Sequence, residues 1–420
     1  MWYNIKQGDD FMDIRKRKLA ELAVRVGINV RENENVLVNA SIDCAEIARL
    51  VVEEAYKAGA KQVIVKYRDE LISRLHFLNQ SDETLCEIPE YLVLENKYYC
   101  DNKFARISIV SPKSGIMDDV DPMKVQRQSI EANKKLSFAQ EFVMGNNVPW
   151  TIIAAANPIW AKKVFPELEE NEAIEKLWDA IYDASRVTMD NDCKADWDVH
   201  IKNLEKYFVK LNEYNFKSLL FKNSIGTDLE VGLVKNHLWA GGAEFTLDNH
   251  LYAPNIPTEE VFTMPDKYNV NGRVYSTKPL DFQGKLITDF YLDFKDGKVV
   301  NYDAKENKES LKALIEFDEG SCYLGEVALI SHNTPISMSN ILFYNTLFDE
   351  NASCHLALGR AYPMNIKGGL EMSREELAKN NANLSMTHND FMFGSADMSV
   401  KGVTYEGDII DIFVNGNFVI

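Results

Sequence analysis

The sequence predicts a chain in two parts: an α/β N-terminal domain with a parallel sheet, then an α+β C-terminal catalytic domain with a mainly antiparallel sheet. Three observations predict it. The 420 residues exceed what one ordinary hydrophobic core organises. Up to about residue 190, short apolar runs alternate with segments of helical periodicity, as in repeated βα units. From about residue 217 the runs shorten and hairpin turn residues punctuate them. The expected domains are 1–190 and 191–420, with the polar stretch 190–196 read as a linker.

Residues 11–26 place Phe11, Ile14, Leu22 and Val26 near helical spacing, with Gly27 as the stop. Residues 35–40 suit a buried strand. Residues 45–58 read as a helix with Ile47, Leu50, Val51 and Ala55 on one side, and 62–66 as a second strand. That is one βαβ unit, and its crossover makes the strands parallel. The alternation continues with a strand at 104–110, a helix at 121–144, a strand at 149–155, a turn at Asn157-Pro158 and a helix at 171–186. No glycine-rich phosphate loop follows any of these strands, so this part is expected to serve structure, access or dimerisation.

In the second part, 219–222, 224–227 and 228–233 read as a hairpin, and 237–242 as a sharp bend at two glycines. Residues 275–280, 285–294 and 298–302 extend the antiparallel pattern. A helix is expected at 305–317, and further strands at 321–330, 391–401 and 408–420.

The formal charge of −18 argues against nucleic acid and against an anionic membrane surface as partners. It suits a metal ion or a cationic substrate. The six cysteines, Cys44, Cys86, Cys100, Cys193, Cys322 and Cys354, are scattered and form no CxxC pair, which reads as free thiols in a reducing compartment. The chain starts without the apolar core of a signal peptide and holds no run of about 18 apolar residues. The expected location is the cytoplasm.

Carboxylates and imidazoles concentrate between residues 255 and 390, a mixture that suits zinc, cobalt, manganese and related ions. Glu259 and Glu260 are adjacent; in a strand they point to opposite faces, so one of them can enter a given site. Glu326 sits in the otherwise uncharged run Cys322-Tyr-Leu-Gly-Glu-Val-Ala-Leu-Ile330, where a buried carboxylate needs a cation or an arginine partner. Gly325 beside it would let a ligand or another backbone come close. Glu350 and His355 are five apart, so a turn between them is needed for both to serve one site. His388 and Asp390 share a face if they lie in a strand. Cys354 beside His355 is a poor nucleophile pair. No Gly-x-Ser-x-Gly elbow and no HExxH helix is present.

Four segments together resemble the thermophilic-type metalloaminopeptidase family, which includes aminopeptidases T and S and PepS. They are Asn255-Ile-Pro-Thr-Glu-Glu-Val-Phe-Thr263, Leu324-Gly-Glu-Val-Ala-Leu329, Asn345-Thr-Leu-Phe-Asp-Glu-Asn-Ala-Ser-Cys-His355 and His388-Asn-Asp-Phe-Met392. The openings Leu22-Ala-Val-Arg-Val-Gly27 and Ala55-Tyr-Lys-Ala-Gly-Ala60 are similar too, so the resemblance covers essentially the whole chain. It implies a two-domain aminopeptidase with two divalent ions, zinc, cobalt, manganese or magnesium, acting on peptides with a free N-terminus. The ligands would fall on Glu260, Glu326, His355, His388 and Asp390, with Glu350 a sixth, and Tyr362 would assist catalysis. Members are typically homodimers whose sites face an internal cavity.

The charges agree with that implication. Four bound carboxylates would balance two divalent ions, with Glu326 bridging both. A water between the ions becomes acidic enough to supply hydroxide near neutral pH. Tyr362 or Arg360 would donate to the oxyanion, and Glu259 or Glu350 would take the proton. The competing reading is another dinuclear hydrolase, an amidase or phosphoesterase; few basic residues flank these motifs to hold a phosphate.

Overall fold

The computed structural model describes residues 14–113, 115–282 and 285–420. The chain forms two compact units, Met1–Asp198 with Ala243–Ile256, and Val199–Gly242 with Pro257–Ile420.

The first unit is built on a four-stranded, fully parallel sheet, in the order Gln62–Arg68, Asn35–Ser41, Ala105–Val110, Trp150–Ala154. Helix Ala45–Lys57 buries Ile47, Leu50, Val51 and Ala55, the side its spacing selects. The first helix runs Ile14–Leu22 and ends in a π turn, Ala23–Gly27; residues 11–13 of the expected helix lie outside the described residues.

Three helices, Glu70–Asn79, Asp82–Cys86 and Glu90–Asp101, occupy a stretch where none was expected. The first two bury no residue, so they lack the apolar stripe that periodicity detects. Side-chain caps hold their starts: Asp69 accepts from the Leu71 N–H and Ser81 from the Thr84 N–H. Asn157-Pro158 is likewise a helix start rather than a free turn. Asn157 accepts from the Trp160 N–H, and Pro158 opens helix Pro158–Val164.

Much of the expected linker is helix. Residues from Cys193 belong to helix Cys193–Tyr214, whose Trp197, Leu204 and Leu211 are spaced by seven and are all buried. The acidic look of 190–196 is the solvated start of that helix, with Asp196 in the first turn, where the helix dipole favours negative charge.

Among the described residues the second unit contains two larger antiparallel sheets and a small hairpin, Leu280–Phe282 with Lys285–Ile287. The larger has eight strands in the order Lys298–Asp303, Tyr291–Lys295, Pro265–Tyr275, Asp228–Leu233, Ser218–Lys222, Ser399–Val403, Ile409–Val414, Asn417–Phe418. The smaller has four: His388–Met392, His355–Gly359, Leu324–Leu329 and Val261–Thr263. Leu219, Phe221 and Val231 of the large sheet share one core with Val327, Leu356, Leu358 and Phe391 of the small sheet.

Several expected strands differ. Residues 276–279 lie between strands Pro265–Tyr275 and Leu280–Phe282, and 285–294 is divided between Lys285–Ile287 and Tyr291–Lys295, which belong to different sheets. Residues 224–227 are a turn, closed by Asn223 accepting from the Thr227 N–H, with Gly226 at φ +115°. The stretch 391–401 is split: Met392 ends a strand of the small sheet and Ser399 begins one of the large sheet. Among the described residues no helix is long and apolar enough to cross a membrane.

Candidate metal centre

The small sheet sorts its residues by face. Across its middle, Glu326 is paired with Ala357 and Ala357 with Asp390. Directly paired residues of antiparallel strands share a face, and so do residues two apart on one strand. Glu326, His355, Ala357, His388 and Asp390 therefore share one face, while Val327, Leu356, Leu358 and Phe391 turn to the core. Ala357, between two carboxylates, leaves room that a larger side chain would fill.

Glu326 reaches that face through a β-bulge. The register slips between Leu324 and Glu326. Leu324 lies in the core, so uninterrupted alternation would send Glu326 there too. The extra residue is Gly325, and a Cβ on it would stand 2.3 Å from the Gly359 carbonyl oxygen. The close approach expected at this glycine is therefore by another backbone.

Two groups of donor atoms result. Glu260, Glu326 and His355 form one, and Glu326, His388 and Asp390 the other; within each, all donor atoms lie within 4.8 Å of one another. His355 Nε2 stands 3.2 Å from Glu260 and 3.4 Å from Glu326. His388 Nε2 stands 3.3 Å from both Glu326 and Asp390. Glu326 contributes Oε1 to one imidazole and Oε2 to the other.

The orientation of the imidazoles is informative. His355 Nδ1 lies 2.8 Å from the Glu350 carbonyl oxygen and His388 Nδ1 lies 2.7 Å from that of Arg360. A carbonyl only accepts, so each Nδ1 carries a proton and donates it. Each neutral ring then turns its Nε2 lone pair toward carboxylate oxygens, an acceptor facing acceptors. Such a pair is stable only with a proton or a cation between. Asp390 Oδ1 is buried and faces only the Nε2 of His388, at 3.3 Å, which makes the same demand. The donor set thus fits divalent metal.

Without metal, protons do this work. Burial lowers the proton affinity of His355, but Glu260 and Glu326 outweigh it and hold the ring well above the ordinary histidine range. His388 is raised well above it in the same way, chiefly by Asp390 and Glu326 against burial. Burial pushes Glu326 up, but the two imidazoles hold it below the usual value. Asp390 is also lowered, burial being outweighed first by the charge of His388. Burial raises Glu260. Burial and then the charges of Asp390 and Glu260 push Glu350 well above the carboxylate range.

Glu350 stands in the short 3-10 turn Glu350–Ala352 that separates helix Thr346–Asp349 from strand His355–Gly359. That turn lets residues five apart meet at one cluster. The Tyr362 ring packs on His388, with centroids 4.7 Å apart, and burial drives its hydroxyl far above the usual phenol value. Glu259 points elsewhere: its carboxylate is 3.8 Å from His200. The Arg360 side chain is exposed. Cys354 faces the Ile330 backbone, and burial pushes its thiol up to about 11, which removes it as a nucleophile.

Sequence reading missed Asn351. It is fully buried, accepts from the Glu259 N–H at 2.7 Å and donates to the Leu347 carbonyl at 3.1 Å. It thereby ties the segment that presents Glu260 to the segment that presents Glu350. Its place directly after Asp349-Glu350 was the only signal.

A buried sheet face carrying carboxylates and oriented imidazoles defines a metallohydrolase class of site. The family model described as Thermophilic metalloprotease (M29) matches residues 12–418, and the chain belongs to that family. It is 44% identical to aminopeptidase AmpS of Bacillus subtilis, over 97% of this chain and 100% of the relative. It is 41% identical to aminopeptidase 2 of Geobacillus stearothermophilus, over 96% of this chain and 97% of the relative. Wild-type AmpT from Thermus thermophilus superposes with a TM-score of 0.90 at 36% identity, over 97% of this chain and 99% of that one. The protein is a metal-dependent aminopeptidase.

Proposed function

We propose that the chain removes N-terminal amino acids from peptides with two divalent ions, held by Glu260, Glu326 and His355 and by Glu326, His388 and Asp390. The observation that carries this is the pair of imidazoles whose Nδ1 atoms are pinned by backbone carbonyls while both Nε2 atoms face the two oxygens of one carboxylate. Glu350 would be a sixth ligand at the edge of the cluster. These donors suit zinc, cobalt, manganese or magnesium.

When bound, such ions acidify a water and polarise the scissile carbonyl. The chain's own groups do the rest. Glu350, which lines the cleft beside Asp390 and belongs to neither donor group, takes the proton of the attacking water and passes it to the leaving amine. The Tyr362 hydroxyl, kept protonated, donates to the oxyanion. The acidic cluster holds the substrate's free ammonium group. Among the described residues, no arginine or lysine lines the cleft beside Glu350 and Asp390, which disfavours a phosphoesterase.

The free thiols support a cytoplasmic location. The first unit supports a homodimer: helix Glu70–Asn79 exposes Leu71, Ile72 and Leu75 by more than half. Light scattering tests the dimer. The metal count is tested by titrating chelator-stripped protein with cobalt and following its absorption. Two equivalents are expected for the native chain and one for Asp390→Asn; saturation of the native chain at one equivalent overturns the proposal.

A further inference from the structure

Resting on that reading of the centre, we infer that the cleft beside it is the pocket for the side chain of the substrate's N-terminal residue. We infer further that Leu286 and Leu342 set which side chains it takes. The cleft has about 550 Å³ of empty space, part of it open to solvent, and Glu350 and Asp390 form one end of it. Met392 lies two residues beyond Asp390 on the same strand and so on the same face, and it continues the wall away from the carboxylates. Leu280 and Leu286, directly paired strand neighbours of Ile287 and Asp281 in a small hairpin, close one side, and Leu342 and Tyr344 line the cleft as well.

The arrangement matches the chemistry of an α-amino acid residue. Its ammonium group needs negative charge, and its side chain branches from the adjacent carbon. The cleft brings the Glu350 and Asp390 carboxylates together with the apolar Leu280, Leu286, Leu342 and Met392. The occupant it fits is therefore an uncharged apolar side chain of roughly leucine or methionine size. Beyond the metal-site carboxylates, a cationic side chain would meet Asp281 at the exposed rim and Asp349, whose two oxygens already accept from the Phe343 and Asn345 N–H groups. In an apolar pocket a methylene group changes kcat/KM by roughly 10–200-fold, so wall residues have a measurable effect.

Two substitutions test this, each read as a ratio of kcat/KM values among leucyl, alanyl and arginyl chromogenic amides in the metal-loaded enzyme. Leu342→Trp fills the pocket, and the leucyl-to-alanyl ratio is expected to fall by about tenfold or more. Leu286→Glu places a carboxylate in the wall, and the arginyl-to-leucyl ratio is expected to rise by a similar factor. A folded, active Leu286→Glu enzyme with both ratios unchanged overturns the assignment, even if Leu342→Trp fails to fold. If the native enzyme cleaves none of the three amides, the peptidase reading of the centre fails instead, and that outcome is distinct.

Discussion

The Nδ1–H of His355 donates to the carbonyl oxygen of Glu350 at 2.8 Å, so the backbone of one acidic residue aims the imidazole five residues further on. Its partner ring is aimed the same way by the Arg360 carbonyl. In the metal-free chain both rings are pushed well above the ordinary histidine range, against burial, by Glu260 and Glu326 for His355 and by Asp390 and Glu326 for His388. Each ring therefore holds its second proton more tightly than a free imidazole does.

Metal uptake near pH 7 must displace those protons. Calorimetric titrations in buffers of different ionisation enthalpy are expected to show release of one to two protons per chain. Metal affinity is expected to weaken as pH falls. Binding heats that do not vary with the buffer would show that the rings are already neutral.

Gly325→Ala sets a methyl group against the Gly359 carbonyl and disturbs the bulge that turns Glu326 out of the core. We expect a loss on the order of 1–3 kcal/mol of stability, with weakened metal binding. Chemical denaturation and metal titration of the variant check the two effects separately. An unchanged metal affinity would mean that the bulge does not orient Glu326.

Asn351→Ala removes the amide that joins the Glu260 and Glu350 segments and leaves a buried Glu259 N–H without its acceptor. The cost is expected to be about 1–3 kcal/mol. Metal affinity is expected to fall by roughly 10–100-fold, as for other groups that orient ligands. A destabilised variant with native metal affinity would assign Asn351 a structural role alone.

His237 gives the second unit a pH dependence remote from the centre. Burial lowers its pKa from the usual 6.5 to about 4. The unfolded chain therefore binds a proton that the folded chain resists, so this contribution is present above about pH 6.5 and is lost as pH falls toward 4. It amounts to an order of 3 kcal/mol at most. Denaturation midpoints measured from pH 7 to pH 4 are expected to fall less steeply in His237→Leu than in the native chain; equal slopes would place the dependence elsewhere.

The sequence carried the site more fully than the fold around it. Glu326 stood out because one carboxylate in an apolar strand demands compensation, and His388 with Asp390 because a strand brings residues two apart onto one face. The bulge at Gly325 could not be read: a register slip depends on the partner strand, which lies some thirty residues away. Ala357 gave no signal, since its small size matters only once Glu326 and Asp390 flank it. Helix Glu70–Asn79 was missed because its apolar residues are exposed and follow no buried stripe. Helix Cys193–Tyr214 was missed because its buried stripe includes the polar His200 and its polar start looks like a loop.

The central claim is that Glu326 holds two metal ions that make the chain a peptidase. Its most direct test is hydrolysis of a leucyl chromogenic amide by chelator-stripped protein, titrated with cobalt and with zinc, beside Glu326→Gln. The account predicts that activity returns as the second metal equivalent is added and that Glu326→Gln stays inactive at every metal level. Full activity in Glu326→Gln, or full activity of the native chain at one equivalent, would contradict it.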